Sequence, residues 1–74
     1  MTFDEAKKKA IALHKEFNMC TEYENGFMFW VDTDEITFGG GDAPKVVLKE
    51  SGKIISMPEF VMYGMGEEIK DIQL

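Results

Sequence analysis

The sequence predicts an α+β fold: one N-terminal helix packed on a four- to five-stranded antiparallel sheet, with residues 1–74 forming a single small domain. Three observations lead there. Apolar residues recur at three- and four-residue steps over residues 2–18, the period of a helix with one buried stripe. Short apolar runs separated by turn residues follow over residues 20–57 and read as two hairpins. The densest run, Phe27-Met28-Phe29-Trp30-Val31, is apolar at every position, so it belongs to a central strand that needs cover on both faces.

The helix opens with Thr2 and Glu5 at capping-box spacing, and Asp4 and Glu5 suit the positive end of its dipole. Phe3, Ala6, Ala10, Leu13 and Phe17 make the stripe; Lys7, Lys8, Lys9, Lys15 and Glu16 lie off it. His14 borders the stripe as a packing residue, and Asn18 ends the helix. Residues 20–24 form a first strand with Cys20 and Tyr23 half-buried. Asn25-Gly26 supplies a two-residue turn in which both positions tolerate positive φ, leading into a strand over residues 27–33. On it Phe27, Phe29 and Val31 point one way, and Met28 and Trp30 the other.

Residues 34–44 are a glycine-rich loop. Residues 45–49 form a third strand, with Val46 and Leu48 on one face and Val47 on the other, and Glu50-Ser51-Gly52 turns the chain into a fourth strand over residues 53–57. Ser56 and Pro58 suit the start of a short helical turn reaching Tyr63, and Gly64 and Gly66 stop it. Residues 67–74 read as an edge strand in preference to a final helical turn. The face away from the long helix then carries either Met28, Trp30 and Val47 or the Phe27, Phe29 and Val31 set, with residues 60–65 available to fold over it.

Composition removes several function classes. The net charge is −6, and residues 20–74 carry four Lys against eleven acids, a net of −7. All eight basic residues are Lys. Phosphate and base recognition lean on arginine forks, so no nucleic-acid partner is expected. One cysteine allows no intramolecular disulfide, which fits a reducing, cytoplasmic setting. No apolar run approaches the roughly 20 residues that span a bilayer, so no membrane role is expected.

The chemical motifs give way to simpler readings. Gly39-Gly40-Gly41 is followed by Asp42 and then a strand, so it lacks the lysine and the helix N-terminus of a phosphate loop. Asp32-x-Asp34 begins like a calcium loop, but Ile36 and Thr37 stand where the next ligand and glycine belong. Cys20 and His14 have no third group to orient the histidine, and a buried small hydrophobe is the better reading of the cysteine. The sequence therefore predicts no catalytic residue, no metal site and no cofactor, and the protein is expected not to be an enzyme.

The order of these features resembles a known bacterial group. A short helix precedes Gly26-Phe27-Met28-Phe29-Trp30; a glycine-bearing loop ends in Gly41-Asp42-Ala43-Pro44; then comes Lys45-Val46-Val47-Leu48-Lys49-Glu50-Ser51-Gly52-Lys53-Ile54. Over residues 3–58 this is similar to the YrhB-like, immunity protein 35 family, with Pro44 and Gly52 matching its structural positions. The resemblance implies a small α+β immunity protein that binds and neutralises a cognate toxin. Read on the residues, the partner surface centres on Met28, Trp30 and Tyr63, with Asp32, Asp34 and Glu35 as an acidic rim facing basic residues of the toxin. Two other readings remain open: a homo-oligomeric domain whose partner is a copy of itself, and an inhibitory binding module of the PepSY type.

Overall fold

The structure, a computed structural model, describes residues 2–32 and 44–74. Its elements are α1 (Phe3–Leu13), β1 (Met19–Tyr23), β2 (Gly26–Trp30), β3 (Lys45–Leu48), β4 (Ile54–Ser56), α2 (Met57–Tyr63) and β5 (Glu68–Gln73). The strands form one sheet in the order β4-β3-β2-β1-β5, with every neighbouring pair antiparallel. The α+β prediction therefore holds, the tail supplies the fifth strand, and the all-apolar β2 lies at the centre.

Helix α1 starts where the sequence says. The Thr2 side chain accepts from the Glu5 amide at 3.2 Å, and its hydroxyl donates to the Glu5 carboxylate at 3.1 Å. The helix stops earlier than residue 18: His14 is already extended, with φ −152°. Tertiary demand overrides helical periodicity here. Asn18 is already aligned with the sheet: its amide donates to Trp30 O, and its carbonyl accepts from the Leu74 amide. Phe17 reaches the core through a turn, while Leu13 is left exposed.

The face under α1 is sealed. Phe27 and Phe29 of β2, Cys20 of β1 and Val47 of β3 pack against Ala6, Ala10 and Phe17, with Phe3, Val31 and Ile54 at the margin. Phe29 is fully buried and lies against Phe3 and Phe17, ring centroids 6.4 and 6.3 Å away. Small alanines let the helix approach the sheet, and the Lys9 ammonium ties it to Gly52 O at 2.9 Å. At the sheet's flank Lys49 pairs with Glu22 at 2.7 Å above the Phe27 ring.

The opposite face is covered by the shorter α2. Ser56 caps this helix by accepting from the Glu59 amide, Pro58 sits in its first turn, and Gly64 closes it at φ 108°. Phe60, fully buried, packs on Val46, Leu48 and Ile55, with Tyr23, Met28, Met57 and Met65 at the edge. The register corrects one expectation: Val46, not Val47, shares a face with Met28, because Met28 pairs with Val46 and Phe27 with Val47.

The first hairpin also differs in detail. Glu22 pairs with Phe27, so the two turn residues are Glu24 and Asn25, and Gly26 belongs to β2. Among the described residues only Gly52, Gly64 and Gly66 have positive φ. Gly26 is needed for space instead: a Cβ there would come within 3.0 Å of Val46 Cγ1 and 3.2 Å of Phe60 Cε1. Strand β2 ends at Trp30 rather than residue 33. Its partner β1 begins at Met19, and the Asn18 side chain then takes both backbone groups of Asp32, accepting from N at 2.7 Å and donating to O at 3.0 Å.

Candidate functional site

Helix α2 reaches only part of its face. It lies mainly over β3 and β4, with Phe60 reaching Gly26 and Met28 of β2 and the Tyr23 ring of β1. Beyond it, over β2, β1 and β5, lies an open groove of about 450 Å³. The strands decide which side chains enter it. Alternation along β1 sends Thr21 and Tyr23 to this face and Cys20 to the other. On β2 it sends Met28 and Trp30 here. The groove is lined by Thr21, Tyr23, Met28 and Trp30, with Val31 and Pro44 at one end and Glu68 and Asp71 along β5.

A chain of hydrogen bonds crosses three strands beneath it. The Trp30 indole N–H donates to Thr21 Oγ1 at 3.1 Å, and the Thr21 hydroxyl donates to Asp71 Oδ1 at 2.7 Å. Thr21 is 3% exposed, the one polar side chain buried among the described residues. Met19 is the direct cross-strand partner of Trp30, so the indole lies diagonally across the β1–β2 ladder to reach Thr21. Burying the hydroxyl is tolerable because it both accepts and donates. The result is a half-buried tryptophan held in one orientation.

A bulge sets the second carboxylate. Asp71 pairs with Thr21 and Lys70 with Glu22, but Glu68 pairs with Tyr23, leaving Ile69 as the extra residue. Regular alternation from Asp71 would bring Ile69 to the groove. The bulge brings Glu68 there instead. Burial pushes the Tyr23 phenol above its ordinary pKa, and Glu68 and Asp71 push it further the same way.

The sequence-derived partner residues do not all converge. Met28 and Trp30 both line the groove. Met28 also packs at the edge of the Phe60 cluster, so residues 60–65 seal one flank of it and leave Trp30 uncovered by α2. Tyr63 lies on α2, stacked on Phe60 at 6.5 Å, with its hydroxyl donating to Glu50 at 3.1 Å. Asp32 is exposed at the end of β2, its backbone held by Asn18. Asp34 and Glu35 lie outside the described residues, as does the Gly39–Gly41 motif.

Sequence reasoning missed Thr21, Glu68 and Asp71. A threonine in mid-strand two positions from a tyrosine was a legible sign that β1 has a mixed face. The tail carboxylates became assignable only with the β1–β5 register. Asn25 was also missed as an organiser: its side chain donates to Gly64 O at 2.6 Å, and its amide donates to Met65 O, fixing the segment between α2 and β5.

Other chemistry is weaker. The Cys20 thiol is fully buried, and its pKa is pushed up to about 12 by burial first and by Glu22 and Asp71 second. A thiol so placed stays protonated near neutral pH and is no nucleophile. His14 packs edge-on against Phe17 at 4.9 Å. Among the described residues, no cluster of three or more His, Cys, Asp or Glu could hold a metal ion, and no helix is long and apolar enough to cross a membrane. No protein family, curated protein or solved structure matches the chain.

Proposed function

We propose that this chain is a protein-binding module that acts by occlusion, most concretely an immunity protein that masks a cognate toxin. One observation carries the reading. Trp30, an aromatic type enriched at binding hot spots, is oriented by Thr21 in an open groove rather than sealed beneath a helix. A half-covered apolar face rimmed by carboxylates suits a protein interface, and the resemblance over residues 3–58 points to the same class of partner. Acidic groups around such a surface speed encounter with a basic partner more than they deepen affinity.

The test is co-expression with a toxin encoded beside it, followed by isolation of the complex. Trp30→Ala is expected to weaken the complex roughly tenfold or more. Circular dichroism and a cooperative unfolding transition should show that the fold is kept, at a stability cost of about 1–2 kcal/mol for the lost hydrogen bond and half-buried ring. A variant that fails to fold would place Trp30 in the core and sink the assignment. A second reading, self-association, is favoured by β5, whose six residues form a largely exposed sheet edge. Light scattering separates the two, because a strict monomer rules out the oligomer.

A further inference from the structure

The groove has a chemical preference that an apolar hot spot alone would not need. Two aromatic rings, Trp30 and Tyr23, line it together with two carboxylates, Glu68 and Asp71, and none of the described lining residues is basic. The bulge at Ile69 matters here. It replaces an isoleucine at the groove with Glu68, so the backbone departs from regular pairing in a way that adds a negative charge beside Tyr23. Asp71 spends one oxygen on Thr21, and a carboxylate has a second oxygen with which to accept. Burial raises the pKa of the Tyr23 phenol most, and Glu68 and Asp71 raise it further.

We propose that this groove is a receptor for an arginine side chain of the protein partner, the guanidinium lying against Trp30 and Tyr23 and pairing with Glu68 and Asp71. Aromatic faces attract cations, and a planar, weakly hydrated guanidinium stacks on a ring while its fork engages carboxylate oxygens. Met28 and Val31 offer apolar surface to the methylene stem. The eight basic residues of this sequence are all Lys, so it holds no arginine of its own to fill the site. The inference rests on the protein-binding reading and sharpens it, because it names the residue type that the partner must present.

The chain contains one tryptophan, so the Trp30 indole N–H resonance is a unique reporter. The probes are the capped peptides acetyl-Gly-Arg-Gly-amide and acetyl-Gly-citrulline-Gly-amide, which differ in charge and hardly at all in shape. The arginine peptide is expected to shift the indole resonance saturably and to bind roughly tenfold more tightly than the citrulline peptide, a difference of about 1.4 kcal/mol. Raising the salt concentration should shrink that ratio. Combining Glu68→Gln with Asp71→Asn should abolish it. Asn at position 71 keeps an acceptor for Thr21, and a dispersed amide spectrum verifies that the double variant folds. Equal binding of the two peptides, no response to arginine, or a preference that survives the double variant would each overturn the inference. Its failure is separable from that of the binding reading. Loss of the arginine preference while Trp30→Ala still breaks the toxin complex removes this inference alone; a toxin complex indifferent to Trp30→Ala removes both.

Discussion

The two faces of this sheet are covered unequally. Eleven residues of α1 lie across one face; seven residues of α2 cover part of the other. The α1 face is built from Phe27, Phe29, Cys20 and Val47, and the α2 face begins with a Phe60-centred cluster and ends in a groove crossed by a Trp30–Thr21–Asp71 chain. On the protein-binding proposal, the difference separates two tasks within one small chain. Apolar area sealed from water supplies most of the folding free energy, whereas a binding surface has to remain accessible and hold its side chains in place before a partner arrives.

The sharpest way to break this division is to empty each side in turn. Phe29→Ala removes a fully buried ring from the centre of the α1 face and is expected to cost about 3–5 kcal/mol. A chain of this length has about 4–11 kcal/mol in total, so the variant should lose a large share of its stability, read as a fall of its urea midpoint to about half the wild-type value or below. Phe60→Ala also removes a fully buried ring, but one that holds a short helix. Its expected cost is about 3 kcal/mol, with amide exchange rising first in α2 while β1 and β2 stay protected. If Phe60→Ala unfolds the sheet as completely as Phe29→Ala, the two faces form one cooperative core and the division fails.

A smaller effect tests how dry the α1 face is. Cys20 titrates near 9.0 when unfolded and near 12 in the fold. The native state therefore holds a proton that the unfolded chain gives up between those values. The thiol's contribution to stability is complete below about pH 9 and is lost as the pH rises towards 12, with a slope of about 1.4 kcal/mol per pH unit. Urea midpoints between pH 8 and 11 should fall more steeply for the wild type than for Cys20→Ala. Parallel slopes would mean that water reaches the thiol.

The sequence and the structure agree where the signal is local and part where it is not. The Thr2 cap, the all-apolar β2 and the Ser56–Pro58 helix start depend on residues a few positions apart, and each was legible. The strands' partners were not. Val46 rather than Val47 joins Met28 because of a pairing between residues 18 apart in the chain. The hairpin signal Asn25-Gly26 marked the right place for a local reason that tertiary packing replaced, since Gly26 is where the Phe60 ring sits. The groove was half legible: Met28 and Trp30 follow from alternation along β2, whereas Asp71 depends on the β1–β5 register and Glu68 on a bulge that no residue pattern in residues 67–74 announces.

The smallest predicted effect is the most informative about the open face. Thr21→Val keeps the side chain's shape and removes the hydroxyl, leaving the Trp30 indole without its acceptor and Asp71 without its donor. The expected loss of stability is about 1 kcal/mol, the usual net worth of such a bond. The change at Trp30 should be larger in proportion. Its indole N–H resonance should move and its emission should shift as the ring samples other rotamers. Arginine-peptide affinity should fall because an ordered platform has become a mobile one. Had the hydroxyl served packing alone, valine would restore stability and leave the indole signal in place. Stability nearly kept while ring order is lost is the signature of a buried threonine that fixes the orientation of a tryptophan lying across the open face.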